Sequence, residues 1–237
     1  MRRFIPSLVV LLERPRLGHC RLGLAAQLGA KRAMQLSQLF IECALEDAKV
    51  WPGKVVLAVP EQDLSWAEYL ADTHQQKQPW QVVSYHGSGI GHNLVELDEQ
   101  LRRQGLQQFI YIAADSPALS GDHYRKAILL LQNYHVVAAH QHVSGVASGI
   151  TTGLTLLGNT QPWPDLSDLD WRSAGIVEQL QLRCLQHDRT MTGLEAGYRV
   201  THLVALKQLQ HDLAMDVRPA RKRLLQALLP LSIELSA

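Results

Sequence analysis

The chain has 237 residues, of which 46% are hydrophobic and 19% are charged, a balance typical of globular proteins. Its 23 lysines and arginines nearly equal its 22 acidic residues, so no overall positive field attracts nucleic acid or an anionic membrane. No run approaches the ~18 consecutive apolar residues of a membrane span. We expect one cytoplasmic domain spanning residues 1–237, with no nucleic-acid partner and no membrane span. The sequence does not indicate an oligomeric state.

The N-terminal segment, MRRFIPSLVVLLERPR, imitates a signal peptide, with two arginines before an apolar run. Pro6 interrupts that run, and the small residues of a cleavage site do not follow it. We therefore interpret Ser7 to Leu12 as a first buried strand, followed by a loop from Glu13 to Gly23 that carries glycine and arginine.

Strand and helix patterns then alternate along the chain, which favours a mostly parallel sheet with helices on both faces. The predicted fold class is α/β, a Rossmann-like three-layer sandwich. Hydrophobic periodicity and turn residues predict the following elements: helices at Ala30–Asp47, Leu64–His74, Leu94–Arg103, His123–Asn133 and Ile176–His187, two further helices at the C-terminus, and strands at Lys54–Val59, Gln81–Ser84, Phe109–Ala114, Val136–His140, within Val146–Leu157, and at Gly197–Thr201.

The three cysteines, Cys20, Cys43 and Cys184, are an odd number with no close pairing. They therefore indicate neither a disulfide framework nor a zinc cluster. Cys43 and Cys184 fall within helical patterns, which predicts that they are small core residues.

Asp115 follows the apolar run Phe109–Ala114, which is typical of a strand buried on both faces of a parallel sheet. Ser116 and Pro117 end this strand, and Ser120 can cap the next helix. Asp115 would then lie at the carboxyl end of a central strand, where open α/β sheets bind ligands. The alternative is a turn aspartate that bonds to its own backbone.

Four segments, taken in order, resemble the small single-domain glycosyltransferases of the arsenosugar-biosynthesis type. The first, ERPRLGHCRLGLAAQLG, resembles K-x-P-x-x-G-x-x-K-T-R-L followed by L-G, and GSGIGHNL resembles G-D-L-G-E-R-L. The segment AADSPAL resembles G-S-D-x-P-x-L, and WRSAGIVEQL resembles W-S-T-P-x-V-L-x-x-T. The matching positions are Pro15, Gly18, Leu24, Leu28, Gly29, Gly91, Leu94, Asp115, Pro117, Leu119, Trp171, Ser173 and Val177.

This resemblance implies the nucleotide-diphospho-sugar transferase fold of the GT-A type and a nucleotide sugar as partner. It implies that Asp115 is a catalytic residue that faces the sugar or holds a divalent metal, Mg²⁺ or Mn²⁺, bridging the phosphates. It further implies that Arg21 contacts phosphate. The donor-binding residues that we expect are Arg21, Gly18, Gly89, Gly91 and Ser116.

The chain also departs from the family pattern at its charged positions. Where the family has K-T-R, this chain has Arg21, Leu22 and Gly23. Where the family has E-R, it has His92 and Asn93. Arg14 or Arg16 is a candidate to replace the missing arginine.

Two acidic motifs are missing later in the chain. Where the family has E-D-G-G-Y, this chain has HVSGV, with Val143 and Ser144 in place of the acidic residue and the first glycine. Where the family has D-V-D, this chain has Arg199 to Thr201. A single carboxylate holds Mg²⁺ or Mn²⁺ weakly. His142, or His140 beside it, is therefore a candidate metal ligand with Asp115.

These observations leave two hypotheses open. The chain is a glycosyltransferase that uses a nucleotide-sugar donor, or it is a catalytically silent descendant that retains nucleotide binding or protein interaction. A nucleotidyltransferase of the molybdenum-cofactor or coenzyme-assembly type is a further variant with the same fold. The basic cluster Arg218, Arg221, Lys222 and Arg223 is interpreted as the solvated face of a helix.

Overall fold

The computed structural model describes residues 5–74, 78–87, 89–140, 154–173, 175–195 and 197–234. Seven strands form one sheet, in the order β3-β2-β1-β4-β6-β5-β7. The strands are β1 Ser7–Leu11, β2 Val55–Pro60, β3 Gln81–Tyr85, β4 Phe109–Ala113, β5 Val136–His140, β6 Leu154–Asn159 and β7 Met191–Glu195.

Eight helices of the described residues flank or extend this sheet, and a 3₁₀ turn at Glu61–Asp63 precedes the third of them. None of the helices in the described residues is long and apolar enough to cross a membrane. The helices are α1 Leu22–Leu28, α2 Ala30–Val50, α3 Leu64–His74, α4 Ile90–Arg103, α5 Gly121–Leu130, α6 Ile176–Gln186, α7 Leu203–Asp212 and α8 Pro219–Glu234.

The sheet is mostly parallel, as predicted. β1 pairs in parallel with β2 on one side and with β4 on the other, whereas β6 is antiparallel to β4 and β5. The chain leaves β1 toward β2 and β3 and then returns across β1 to form β4, so the strand order reverses between β1 and β4. Ligands of open α/β sheets bind at such a reversal, outside the carboxyl ends of the strands.

Alternate residues of β1 enter two different cores, because successive side chains of a strand point to opposite faces. Leu8 and Val10 pack with residues of α2, α3 and α5, whereas Val9 packs with residues of α4 and α6. Both faces of the central strands are therefore buried, which explains the continuous apolar runs in their sequences. Cys43 and Cys184 are buried free thiols in α2 and α6, as predicted.

One predicted strand is wrong, one helix was not predicted, and one strand prediction is confirmed only in part. Gly197–Thr201 is not a strand, and the seventh strand is β7, just before it. α1 begins at the end of the predicted loop, in a part of the sequence for which no helix was predicted. The strand prediction at Val146–Leu157 is confirmed only for β6, because residues 141–153 lie outside the described part of the chain.

The interpretation of the basic cluster as a solvated face is wrong for Arg221. Its side chain is 1% exposed and pairs with Glu46 and Asp47 of α2 at 3.0 and 2.7 Å. Asp47 also accepts a hydrogen bond from the Tyr124 hydroxyl, at 2.9 Å. A buried guanidinium requires such partners, because an unpaired charge in the interior is strongly destabilising.

Candidate functional site

Asp115 lies in the turn that follows β4, directly after Ala114, and is completely buried. Its Oδ2 atom accepts hydrogen bonds from Arg21 Nη1 at 2.6 Å and from Nε and Nη2 of Arg199 at 3.0 and 2.7 Å. Its Oδ1 atom has no hydrogen-bond partner among the described residues. The carboxylate therefore joins two arginines that are distant in sequence, and it does not bond to its own turn.

Arg199 reaches Asp115 from a segment, residues 197–201, that has no sheet pairing. The Val200 N–H group donates to the Asp115 carbonyl at 2.8 Å, which holds this segment against the turn. Tyr198 and Val200 are buried with α7 and α8 in a separate apolar core. Arg199, between these two buried residues, instead contacts Asp115.

Arg21 ends the loop after β1 and directly precedes α1, in a left-handed conformation with φ 49°. The first turn of α1 lies close to the Arg199 segment at Gly23, where an added Cβ atom would lie 2.6 Å from the Thr201 carbonyl oxygen. Glycine at this position therefore permits the close approach that brings Arg21 to Asp115.

The two arginines keep Asp115 ionised. Burial raises the pKa of its carboxyl, but the charges and hydrogen bonds of Arg21 and Arg199 outweigh burial and hold that pKa below its usual range. The negative charge of Asp115 in turn raises the pKa of Arg199. The group carries two positive charges and one negative charge, a net positive charge at the carboxyl end of the sheet.

These three residues line a cavity of about 400 Å³ between the ends of β1 and β4. Its walls also include Glu13, Cys20 and His202. Asp115 has no exposed surface, whereas the side chains of Arg21 and Arg199 are 22% and 32% exposed. The guanidiniums are therefore more accessible from the cavity than the carboxylate is.

A second cavity, of about 610 Å³, adjoins the first. Its walls include His86 and Gly87, Gly89 with the start of α4, and the end of β2. The residues that line both cavities are Glu13, Tyr85, Ile90, Asn93 and Trp171. Together the cavities form one cleft, with the arginine pair in one part and the glycine-rich turn along the other.

The predicted donor-binding glycines differ in their surroundings. Gly89 and Gly91 line the second cavity. Gly18 lies in an exposed turn with φ +78°, a conformation that favours glycine, and it is not among the residues that line either cavity.

Gly91 also has a packing role that the sequence did not indicate. A Cβ atom there would lie 1.9 Å from the Leu166 carbonyl oxygen and 2.7 Å from Trp171 Nε1. Only a residue without a side chain allows α4 to pack against this backbone.

We expect Gly91→Ala to lower the free energy of unfolding by about 2 kcal/mol, because backbone atoms must move to accept the new methyl group. Gly89→Ala in the same turn is the matched control. A Cβ atom at Gly89 meets nothing within 4 Å, and loss of glycine at a helix N-cap costs less than about 1 kcal/mol. Urea denaturation of both variants checks this difference. Equal effects would contradict the packing role.

The buried cluster around Arg221 holds the chain that follows Asp115. Arg221 Nε donates to the Pro117 carbonyl at 3.3 Å, and Arg218 Nη1 donates to the Leu119 carbonyl at 3.1 Å. Ser120 caps α5 as predicted, with its N–H group donating to His123 Nδ1 at 3.1 Å. Ser116 is buried and its hydroxyl has no partner among the described residues; it does not line either cavity.

Arg14 and Arg16 do not replace the arginine that the loop lacks. The Arg14 N–H group donates to Asp63 Oδ2 at 2.8 Å, and the Arg16 guanidinium pairs with Asp63 Oδ1. Neither arginine is among the residues that line the two cavities. They fix the loop to the 3₁₀ turn.

The residues around Asp115 do not fit a divalent cation. The described part of the chain contains no group of three or more histidine, cysteine, aspartate or glutamate residues that could hold a metal ion. A cation beside Asp115 would face two guanidiniums bound to the same carboxylate, and like charges at this distance repel strongly. The predicted ligand His142 lies outside the described residues, and His140 is described only in its backbone, as the last residue of β5.

Arg199 is the site residue whose role the sequence did not predict. It was noted only as the position where the D-V-D motif is missing. The signal for its role was a positive charge, between the apolar residues Tyr198 and Val200, at a position where the family motif is acidic. Its contact with Asp115, 84 positions earlier, has no local signal.

Comparisons with known proteins define the fold of the chain. No protein-family model and no curated protein sequence matches it. A solved structure from Desulfovibrio desulfuricans G20, assigned as a nucleotide-diphospho-sugar transferase, matches with a TM-score of 0.79 at 14% identity, over 97% of this chain and 96% of that one. The chain therefore has the nucleotide-diphospho-sugar transferase fold.

Two cytidylyl-transferring enzymes match less well. The inositol-1-phosphate CTP transferase from T. maritima gives a TM-score of 0.56 at 10% identity, over 94% of this chain and 98% of that one. The 4-diphosphocytidyl-2C-methyl-D-erythritol synthase from Anaerococcus prevotii gives 0.52 at 13% identity, over 85% and 94%. The narrower resemblance to arsenosugar-type enzymes rests on the sequence motifs alone.

Proposed function

We propose that the chain binds a nucleotide-diphospho-sugar and transfers its sugar to an acceptor. The observation that carries this proposal is the arginine pair, Arg21 and Arg199, at the point of strand reversal, in a cleft large enough for a nucleotide. Guanidiniums suit phosphate because they present several N–H donors in a planar fork. The fold shared with the Desulfovibrio structure supports the same ligand class.

The chemistry required of the site is stabilisation of a leaving group. When the bond between sugar and diphosphate breaks, negative charge develops on the departing nucleoside diphosphate. Positive groups that are already in place at that position lower the barrier without reorganising. Arg21 and Arg199 are such groups, since the buried carboxylate of Asp115 holds both of them.

Asp115 is proposed to act in the cleft by holding the two guanidiniums. Its lowered pKa makes it a weak base, and its carboxylate already accepts hydrogen bonds from both guanidiniums. Ser116 and Gly18 do not line the cavities, whereas Gly89 and Gly91 lie along the proposed path of the nucleotide.

In the alternative hypothesis, a catalytically silent descendant, the chain binds the nucleotide sugar but does not transfer its sugar. The missing E-D-G-G-Y motif favours this alternative, because acidic residues face the sugar in the resembling enzymes. A nucleotidyltransferase differs in its ligand, since it would use a nucleoside triphosphate.

The test is isothermal titration of the purified chain with a panel of nucleoside diphosphate sugars and nucleoside triphosphates, each with and without Mn²⁺. We expect one diphosphate sugar to bind at least tenfold more tightly than its nucleoside triphosphate. Release of nucleoside diphosphate from that donor in the presence of sugar or protein acceptors then separates turnover from silent binding. A preference for triphosphates would contradict the proposal.

A further inference from the structure

The position that resembles the second acidic motif holds an arginine that contacts the remaining aspartate. Arg199 Nη2 and Arg21 Nη1 lie 2.7 and 2.6 Å from the same Asp115 oxygen. Both guanidiniums are thereby held at the carboxyl end of β4, where the resembling enzymes hold a divalent cation. The two guanidiniums therefore supply, without a metal ion, positive charge that can balance phosphate groups.

We propose that Arg21 and Arg199 take the place of a divalent cation, so that the cleft binds a diphosphate without metal. The inference deepens the proposed function and depends on it only for the identity of the donor. The inference replaces the metal cofactor that the sequence led us to expect. It is based on the N–H groups that Arg21 and Arg199 direct at Asp115.

The geometry leaves donors available for an anion. Asp115 uses one terminal N–H group of Arg21, and the Nε and one terminal nitrogen of Arg199. Each guanidinium has five N–H groups, so both retain groups that can contact phosphate oxygens. Both side chains are partly exposed and line the cavity.

The charge balance also favours an anion. Two guanidiniums share one buried carboxylate. Glu13, the other acidic residue in the wall, is exposed to solvent, and its charge adds to that of Asp115 in raising the pKa of Arg199. A bound diphosphate would balance the excess positive charge in a partly desolvated site, where such charges interact more strongly than in water.

The experiment uses inorganic pyrophosphate as the probe, titrated into the full chain in EDTA. We expect measurable binding without metal that weakens by at least tenfold in Arg199→Gln and in Arg21→Gln. Arg125→Gln is the control, since Arg125 lies exposed on α5 and pairs with Asp122 of the same helix. Its affinity should equal that of the unmodified chain.

Arg199→Lys guards against a variant that fails to fold. It keeps the charge beside Asp115 but loses the planar fork, so we expect a loss of affinity between those of the control and of Arg199→Gln, with an unchanged circular dichroism spectrum. Binding that appears only with Mn²⁺, or that Arg199→Gln leaves unchanged, overturns the inference.

The outcomes also separate this inference from the proposed function. If pyrophosphate binds in EDTA through the two arginines and no nucleotide sugar binds more tightly than pyrophosphate, the proposed function fails and the inference stands. If a nucleotide sugar binds only with Mn²⁺, the inference fails and the proposed function stands.

Discussion

Replacing Arg221 with methionine is expected to lower the free energy of unfolding by about 3–5 kcal/mol. The Arg221 side chain is 1% exposed and pairs with Glu46 and Asp47. Removing it leaves two acidic groups near the interior without their main counter-charge, and such a loss typically costs this much. The turn after Asp115 also loses the hydrogen bond to the Pro117 carbonyl.

Arg223→Met is the matched control for this prediction. Arg223 lies on the same helix and also pairs with a glutamate of α2, Glu42. Its side chain is 55% exposed, so its loss should cost less than about 1 kcal/mol. Guanidinium denaturation of the two variants measures the difference. Similar midpoints would show that burial of the Arg221 cluster does not contribute as we infer.

Asp115→Asn is expected to lower the free energy of unfolding by about 3 kcal/mol while donor affinity changes less than tenfold. The completely buried carboxylate accepts three charge-assisted hydrogen bonds, each stronger than a neutral one. An amide keeps the shape but loses the charge that holds Arg21 beside Arg199. Affinity changes less, because removing a negative charge near the phosphates offsets the poorer positioning of the guanidiniums.

The pH dependence of this difference has a definite sign. Because the folded-state pKa of Asp115 is lowered, its stabilising contribution is present above the unfolded pKa of about 4 and is lost as pH falls through the lower folded value. The difference between the unmodified chain and Asp115→Asn should stay constant from pH 7 to about pH 4 and shrink below it. Asp168→Asn, at an exposed pair with Arg183, should show a much smaller difference throughout. A large donor effect with little change in stability would instead indicate direct contact of Asp115 with the ligand.

Local patterns predicted most of the fold because each element carries its own periodicity. The buried strands β1, β2 and β4 and the long helices α2 and α4 were predicted close to their observed bounds. The segment Gly197–Thr201 was predicted wrongly because Tyr198, Arg199 and Val200 alternate as in a strand. Alternation reports which side chains are buried, and it does not report whether a neighbouring strand is present to pair with.

The candidate site could be predicted only in part. Asp115 was identified because the end of a buried strand followed by a serine-proline turn is a local signal. The partnership of Asp115 with Arg199 was not, because it joins residues 84 positions apart and inverts the expected charge. The same applies to Arg221, since a basic run looks identical in sequence whether it faces solvent or a buried Asp47.

The most direct test of metal-free donor recognition is a titration of the unmodified chain with the preferred nucleotide sugar, first in EDTA and then in Mn²⁺. If the two guanidiniums replace the cation, the two dissociation constants should agree within about threefold, which is less than ~0.7 kcal/mol. The affinity should also fall as salt is raised, because charged contacts at a partly exposed site are screened. Binding more than tenfold tighter in Mn²⁺ than in EDTA would contradict the account and assign the phosphates to a metal.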